Sequence, residues 1–374
     1  MIIPNGERYN ILQGDSYEVL KQLPSDSIDM CVTSPPYYGL RDYNSGEEEI
    51  GHEQTPMEYV QRLNQVFNEV NRVLKPTGTL WLNLGDTYNR NKEGNTEIYK
   101  NQKLSQASKN LNKKQYNGLP NKSLIGIPWR VAFALQDYGW VLRNDIIWHK
   151  PNPMPNSVTD RCSSSHEYIF LFSKKPSGYY FDYLAIEEPA QYTDVLESRK
   201  KEIIEDQNLL LDKIFKNEEH TEELAFPKFG GKKYPNSGSG SNNTYSGKQW
   251  CPKQKNMNRE QIGQTLHSFH VHRSMGLPDK SYVVRRKRDV WTIPIKGYSG
   301  AHFATFPERL VEPCILAGCP KDGIVLDPFN GAGTTGVVAL KNNRKYIGIE
   351  LNQQYIDISR MRIAKETAQQ TFDF

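Results

Sequence analysis

Four consecutive residues, Ser34-Pro35-Pro36-Tyr37, have types suited to holding a planar amine, and they follow the apolar run 28–33. Two prolines stiffen the chain and remove two backbone donors. What remains is a serine hydroxyl, carbonyl oxygens and an aromatic face. Ser34 Oγ and the Pro35 carbonyl can accept both amine hydrogens while Tyr37 stacks on the ring. The segment therefore predicts a pocket that prepares an amino nitrogen for attack.

This chemistry requires no covalent nucleophile. Cys31 is the cysteine nearest to the segment, and it lies inside the predicted strand 28–33, where we expect it to belong to the core. Residues 34–37 have a simpler alternative interpretation, a rigid turn that ends a strand.

A second segment, 327–336, is a glycine-rich turn between a predicted strand (324–326) and a predicted helix (334–341). Glycines at such a turn let a ligand approach the backbone. The spacing of these glycines, with Glu350 at the end of the next strand, also fits a dinucleotide-binding fingerprint. The turn could thus bind either S-adenosylmethionine or a nicotinamide dinucleotide. Both ligands contain an adenosine, whose ribose hydroxyls we expect Glu350 to hold.

Two features favour S-adenosylmethionine over a nicotinamide dinucleotide. Only 24 residues follow Glu350, so the rest of the sheet must come from upstream sequence. Asp327, at the carboxyl end of a strand, would repel a pyrophosphate but could accept a hydrogen bond from a cationic ammonium group. A dehydrogenase would also leave residues 34–37 unexplained. A glycine turn that binds nothing is the remaining alternative.

The elements that must position these residues alternate between short apolar runs and helical patterns, which predicts an α/β fold. We expect strands at 9–12, 28–33, 79–84, 140–148, 168–172, 324–326 and 346–349. We expect helices at 56–74, 127–135, 307–317, 334–341 and from 353 onward. Residues 88–123 are polar and predict a mobile surface loop, while 194–225 predict a charged helical segment within an insertion.

Composition places few constraints on function. Among 374 residues there are five scattered cysteines, which we expect to be reduced, and Cys251, His267, His270 and His272 match no zinc spacing, so we expect no metal. Residues 1–6 lack the pattern of a signal peptide, and no apolar run of about 18 residues occurs. We therefore expect a cytoplasmic protein without a membrane partner.

The distribution of charge is more informative than the net charge of +4. Residues 226–296 carry 14 Lys and Arg against 3 Asp and Glu, interleaved with aromatic side chains. This mixture suits phosphate contact and base stacking, although a disordered basic linker is the alternative. The predicted DNA contacts are Lys232, Lys233, Lys248, Arg259, Arg273, Arg285, Arg286, Lys287 and Arg288.

The order of the two motifs along the chain resembles the β arrangement of DNA amino-methyltransferases. In that arrangement the catalytic motif, here Thr33-Ser34-Pro35-Pro36-Tyr37, precedes the cofactor motif, here 327–335. The resemblance covers residues 9–90, 124–190 and 290–365. It implies a Rossmann-like S-adenosylmethionine-dependent methyltransferase sheet with helices on both faces and a circularly permuted motif order. It divides the chain into a catalytic part (1–186), an inserted target-recognition region (187–290) and a cofactor-binding part (291–374).

The resemblance also implies roles for individual residues. Asp15 borders the adenine, Phe329 packs against the cofactor, and the region of Thr305 holds its methionine end. Trp148, Lys150 and Pro153 border the flipped base, although a strand end followed by a polyproline turn explains them nearly as well. The implied cofactor-binding residues are Asp15, Thr305, Asp327, Pro328, Phe329, Gly331, Gly333, Thr334 and Glu350.

Serine at position 34 resembles cytosine-N4 enzymes, whereas adenine-N6 enzymes more often carry Asp or Asn there, so we favour cytosine N4 over adenine N6. Double-stranded DNA is the expected partner, and a cognate restriction endonuclease acting on the same site is a further one. More remote alternatives are an RNA or protein-amide methyltransferase and a non-catalytic DNA-binding module.

Overall fold

The structure is a computed structural model that describes residues 3–4, 6–39, 49–89, 116–153, 157–189, 284–295 and 306–370. The chain divides into two compact units. One consists of Met1–Ile186 and Lys287–Phe374, and the other of Glu187–Arg286. The predicted helical segment 194–225 and most of the predicted loop 88–123 lie outside the described residues.

Strands and helices alternate in the larger unit, as the apolar patterns predict. Its first part contains β1 (Tyr9–Gln13), α1 (Ser16–Gln22), β2 (Ile28–Thr33), α2 (Pro56–Val73), β3 (Leu74–Leu84), α3 (Ile127–Asp137), β4 (Val141–His149), β5 (His166–Ser173) and a 3-10 turn (Leu184–Ile186). The smaller unit contributes the paired strands β6 (Glu188–Pro189) and β7 (Val284–Arg285). The larger unit continues with β8 (Val290–Thr292), α4 (Glu308–Gly318), β9 (Ile324–Asp327), α5 (Thr334–Lys341), β10 (Lys345–Glu350) and α6 (Gln353–Gln370).

Eight strands of the larger unit form one sheet in the order β1-β10-β9-β2-β3-β5-β4-β8. Strand β5 is antiparallel to both of its neighbours, and the other pairs are parallel. The carboxyl ends of the parallel strands and the start of β5 therefore lie at one edge, called here the site edge. Open α/β sheets bind ligands at this edge.

Helices cover both faces of the sheet, which confirms the predicted architecture. One core cluster joins α1, α2 and α3 to the strands, and a second joins α4, α5 and α6 to the opposite face. The largest fully buried side chains include Trp81, Tyr59, Tyr346 and Phe67. None of the described helices is both long and apolar enough to span a membrane.

Helix α2 shows how local sequence fixes an element. Thr55 and Glu58 form a reciprocal capping box at its start, and Pro56 occupies the first turn. Its apolar residues at helical spacing, Tyr59, Leu63, Val66, Phe67 and Val70, are all buried. The helix passes directly into β3, which begins at Leu74, five residues before the predicted start. Pairing of Leu74 with Ile28 of β2 extends the strand, and this contact is not visible in local sequence.

The described elements that the sequence patterns missed are all short, and α1 and β8 are the ones in the larger unit that bear on the site. Helix α1 has 7 residues, and its signal was Asp15, whose side chain accepts hydrogen bonds from Tyr17 N and Glu18 N as an N-cap. Strand β8 has 3 residues and is defined by its parallel pairing with β4. Its existence depends on a partner strand more than one hundred residues away in the chain.

Candidate active site

The two segments predicted to carry chemistry meet at the site edge. Strands β2 and β9 are neighbours, with Met30 opposite Val325 and Cys31 opposite Leu326. At their ends Thr33 Oγ1 donates a hydrogen bond of 2.6 Å to Asp327 Oδ1. A direct contact thus joins the residue before the Ser34–Tyr37 segment to the first residue of the glycine turn. Cys31 is fully buried, as expected of a core residue.

Asp327 is 1% exposed and is surrounded by donors from the protein itself. Its Oδ1 also accepts from Phe329 N at 3.0 Å, and its Oδ2 accepts from Thr335 Oγ1 at 2.7 Å. Burial raises the pKa of Asp327 to about 6, although these hydrogen bonds oppose the shift. The carboxylate therefore ties the end of β2, the turn and the start of α5 together, a role that the sequence did not suggest.

The three glycines of the turn are required for different structural reasons. Gly331 has φ +50°, and a Cβ added there would meet nothing nearer than Phe329 O at 3.9 Å. A Cβ on Gly333, at φ +77°, would lie 2.6 Å from Ser359 Cβ, and one on Gly336 would lie 2.6 Å from the Tyr346 ring. Gly331 is thus the glycine that faces open space, whereas the other two permit close packing.

Glu350 lies beside the turn and receives two backbone hydrogen bonds. Gly331 N donates to its Oε2 at 2.7 Å, and Asn352 N donates to its Oε1 at 2.9 Å. Burial raises the pKa of Glu350, and the nearby charge of Asp327 adds to the effect. Carboxylate oxygens have further lone pairs, so these bonds leave acceptor capacity for hydroxyl groups.

The end of β1 joins the same group of residues. Gln13 pairs with Glu350, and Gly14 N donates to Glu350 O at 3.0 Å, which places Asp15 beside the turn. Ser16 Oγ donates to Pro328 O at 2.5 Å. The structure therefore brings together every predicted cofactor residue that it describes. Thr305 lies outside the described residues.

Arg362 of α6 binds the glycine turn through two hydrogen bonds, and the sequence analysis did not predict this role. Its Nη1 donates to Ala332 O at 2.7 Å and to Thr334 Oγ1 at 3.1 Å. An arginine in a predicted C-terminal helix carries no sequence signal for such a contact, because the contact depends on how the helix packs.

The Ser34–Tyr37 segment is held by one internal hydrogen bond and by contacts from α2 and from the end of β3. Ser34 Oγ lies 3.3 Å from Tyr37 Oη and donates to it. Tyr59 Oη of α2 donates to Pro36 O at 2.8 Å. Gly85 lies under the tyrosine ring, where an added Cβ would approach ring carbon Cε2 to 2.7 Å. Tyr37 is therefore seated closely on the end of β3.

Beyond Tyr37 lies a polar cluster that the sequence analysis did not identify. Tyr37 Oη donates to Glu167 Oε2 at 2.8 Å and lies 3.1 Å from Asn83 Oδ1. Lys150 Nζ forms an ion pair with Glu167 Oε1, and the two side chains are 15% and 16% exposed. One signal was available in the sequence, since Asn83 is a polar residue within the predicted strand 79–84 and Glu167 directly precedes the predicted strand 168–172.

The predicted base-pocket residues take different positions. Lys150 Nζ lies 4.2 Å from the centroid of the Trp148 ring, next to the polar cluster. Trp148 itself is 4% exposed, and its Nε1 donates to Ile293 O at 2.8 Å. This indole belongs to the same core cluster as Trp291 of β8, which fits the alternative interpretation of a strand end. Pro153 is half-buried in the connection after β4.

Of the predicted DNA contacts, the structure describes the run 285–288. Arg285 Nε donates to Glu188 Oε1 at 2.8 Å, and Lys287 Nζ lies 4.9 Å from the centroid of the Trp291 ring. Arg286 and Arg288 are exposed. The predicted contacts Lys232, Lys233, Lys248, Arg259 and Arg273 lie outside the described residues, as do Cys251 and the histidines considered for a metal. Within the part of the chain that is described, no cluster of metal-ligating side chains occurs.

The mixed sheet with helices on both faces is the fold of the Rossmann-like methyltransferases, and here it carries the glycine turn and the Ser34–Tyr37 segment at one edge. The DNA methylase family N6_N4_Mtase matches residues 28–361. The chain is 36% identical over 353 residues to the type II methyltransferase M.XycI of Xanthomonas campestris pv. cyanopsidis, covering 94% of this chain and 87% of that protein. It is also 36% identical over 355 residues to M.SmaI of Serratia marcescens, covering 95% and 90%.

Among solved structures, the PvuII DNA methyltransferase (cytosine-N4-specific) shares the fold, with a TM-score of 0.54 and 19% identity over 97% of this chain and 91% of that one. The protein belongs to the N6/N4 family of DNA methylases.

Proposed function

We propose that this DNA methylase transfers a methyl group from S-adenosylmethionine to N4 of a cytosine flipped out of duplex DNA. The observation that carries the proposal is the Thr33–Asp327 hydrogen bond, because it couples an amine-accepting segment to a nucleotide-type turn at one edge of the sheet. Ser34, the proposed acceptor for the amine, follows β2, and Glu350, the proposed carboxylate for the ribose, ends β10. Strand β9 lies between these two strands in the sheet.

The residues present fit the cofactor. Gly331 offers an open backbone surface, and Glu350 lies beside it with acceptor capacity for ribose hydroxyls. Asp15 and Phe329 would border the adenine, and Thr305 would lie near the methionine end. S-adenosylmethionine supplies a methyl group made electrophilic by its sulfonium. Because the carboxylate of Asp327 already accepts hydrogen bonds from protein groups, we propose that it stabilises the conformation of this surface.

On the substrate side, Ser34 Oγ and the Pro35 carbonyl would accept the two hydrogens of the exocyclic amine. This draws the nitrogen lone pair out of conjugation with the ring and towards the methyl group. Tyr37 would stack on the base, with Lys150 and Pro153 beside it. A base within a duplex cannot reach such a pocket, so the enzyme must flip it out of the helix.

The choice of cytosine N4 over adenine N6 is supported by Ser34 and by a fold shared with an enzyme described as cytosine-N4-specific. A serine hydroxyl can accept from either amine, so adenine N6 is the second candidate. DNA incubated with the protein and labelled cofactor, then digested to nucleosides, should yield N4-methylcytosine by mass spectrometry. N6-methyladenine would overturn the choice of base, and no labelled nucleoside would overturn the proposed reaction.

We further propose that 187–290 is the target-recognition region and that the parts 1–186 and 291–374 carry catalysis and cofactor binding. Its basic residues would contact DNA phosphates, since neutralising phosphates releases counterions and drives association. Relatives named as type II methyltransferases suggest a cognate restriction endonuclease as a functional partner.

Within the described part of this region, Arg286 and Arg288 are the exposed members of the run 285–288. The double variant Arg286→Gln/Arg288→Gln should bind a duplex more weakly, and the slope of log affinity against log salt should fall by about 2, because each lost phosphate contact removes about 0.9. Fluorescence anisotropy at several salt concentrations measures this slope.

Arg143→Gln/Lys175→Gln is a matched control, because both residues are exposed at the edge opposite the site. Arg143 lies near the start of β4, and Lys175 lies just after the end of β5. Its slope should equal that of the wild type. Equal slopes for all three proteins would contradict a phosphate contact at Arg286 and Arg288.

A further inference from the structure

The polar cluster beyond Tyr37 connects the amine-accepting serine to a carboxylate through continuous hydrogen bonds. Ser34 Oγ donates to Tyr37 Oη at 3.3 Å, and Tyr37 Oη, which has a single hydrogen, has its shortest contact with Glu167 Oε2 at 2.8 Å. The first distance is long for a hydroxyl pair, as is common before substrate binding tightens a site. The chain ends at Lys150, whose ammonium pairs with the other oxygen of Glu167.

We infer that Ser34, Tyr37 and Glu167 form a path that removes the proton released by amine methylation. The inference rests on the proposed function. When the amino nitrogen forms its bond to the methyl carbon, the carbon–sulfur bond breaks and the nitrogen is left with one proton in excess. That proton passes to Ser34 Oγ, the serine proton passes to Tyr37 Oη, and the tyrosine proton passes to Glu167 Oε2. Each oxygen gains one proton and loses one, except the carboxylate, which becomes a neutral acid.

The surroundings of Glu167 suit a terminal acceptor. The Lys150 ammonium pairs with Glu167 Oε1, which leaves Oε2 as the oxygen that accepts from Tyr37. Asn83 Nδ2 donates to Tyr168 O at 3.0 Å and lies 3.3 Å from Glu167 Oε2, which fixes the carboxylate against β3. The Glu167 side chain is 16% exposed, so the proton can leave to solvent after transfer.

Two variants separate a proton path from a pocket that merely holds its shape. Tyr37→Phe keeps the stacking ring and removes the hydroxyl, and Glu167→Gln keeps the size of the side chain and removes the basic oxygen. Each should lower the single-turnover methylation rate about 100-fold, the lower end of the usual contribution of positioned proton transfer, with KM for DNA unchanged. Tyr38→Phe is the matched control, because the neighbouring hydroxyl makes a 3.4 Å contact with Gln54 O outside the path, and its rate should stay within about 2-fold of the wild type.

A readout independent of turnover tests the hydrogen bond itself. In protein labelled with ¹³C at tyrosine Cζ, the Tyr37 resonance is the one missing from Tyr37→Phe, and it should shift in Glu167→Gln but not in Tyr38→Phe. A Tyr37→Phe enzyme as fast as Tyr38→Phe would overturn the path, as would a Glu167→Gln enzyme altered only in KM. An unmoved Tyr37 resonance would overturn it even if the wild type methylates DNA, whereas a shifted resonance without any methylation would overturn the proposed function alone.

Discussion

Replacing Ser34 with alanine is expected to slow methyl transfer about 100- to 1,000-fold, the range found when one hydrogen-bonding group that acts on a reacting centre is removed. Ser34 is half-buried at the end of β2 and is the side-chain oxygen proposed to accept an amine hydrogen. Without it, the nitrogen keeps its lone pair in conjugation with the ring. Single-turnover rates with labelled cofactor measure the loss, and calorimetry should show unchanged cofactor affinity.

Ser27→Ala is the matched control for this variant. Ser27 directly precedes β2 at the opposite edge, and its Oγ donates to Pro24 O at 2.7 Å on the surface. Its transfer rate should equal that of the wild type. A Ser34→Ala enzyme with normal turnover would refute the assignment of the serine, and a loss of cofactor affinity would mean that the substitution disturbs the turn instead.

Asp327→Ala is expected to weaken cofactor binding at least about 100-fold. The substitution leaves the Thr33 and Thr335 hydroxyls and Phe329 N without their buried acceptor, and unsatisfied buried donors cost about 1 to 3 kcal/mol each. The strand end and the turn should lose their fixed geometry. Calorimetric titration with S-adenosylmethionine measures the effect, and circular dichroism of the free protein shows whether the fold survives.

Asp327→Asn tests the same carboxylate through pH. The pKa of Asp327 is raised from 3.8 to about 6, so the folded state binds this proton more tightly than the unfolded chain does. Stability from this group therefore increases as pH falls from about 6 to 4 and is lost as pH rises through that window, by on the order of 3 kcal/mol. The asparagine variant lacks this dependence. In urea unfolding, the free energy of unfolding of the wild type should therefore increase relative to that of Asp327→Asn as the pH falls towards 4.

A constant difference in unfolding free energy between wild type and Asp327→Asn from pH 4 to pH 7.5 would contradict a raised pKa. Intact cofactor affinity in Asp327→Ala would contradict the role of Asp327 in shaping the turn. The two measurements are independent, since one concerns the free protein and the other its complex.

Much of the fold could be predicted because its elements have strong local signals. Helix α5 begins and ends at the residues predicted for it, and α2 begins at Pro56, where a capping box and a proline coincide. The motif order identified the family, which the comparisons confirm. Elements defined by pairing, such as β8 and the early start of β3, could not be predicted, because their partners are distant in the chain.

The sequence by itself determined which residues have chemistry to offer: Ser34 and Tyr37 on one side, Gly331 and Glu350 on the other. The types and spacing of these residues are local properties, so they can be recognised in the amino-acid sequence. The tertiary structure alone decided what those residues contact. In the folded chain, Asp327 accepts hydrogen bonds from Thr33 and Thr335, Trp148 is buried, and Glu167 accepts a hydrogen bond from Tyr37. These contacts form because the order and register of the strands bring distant strand ends together.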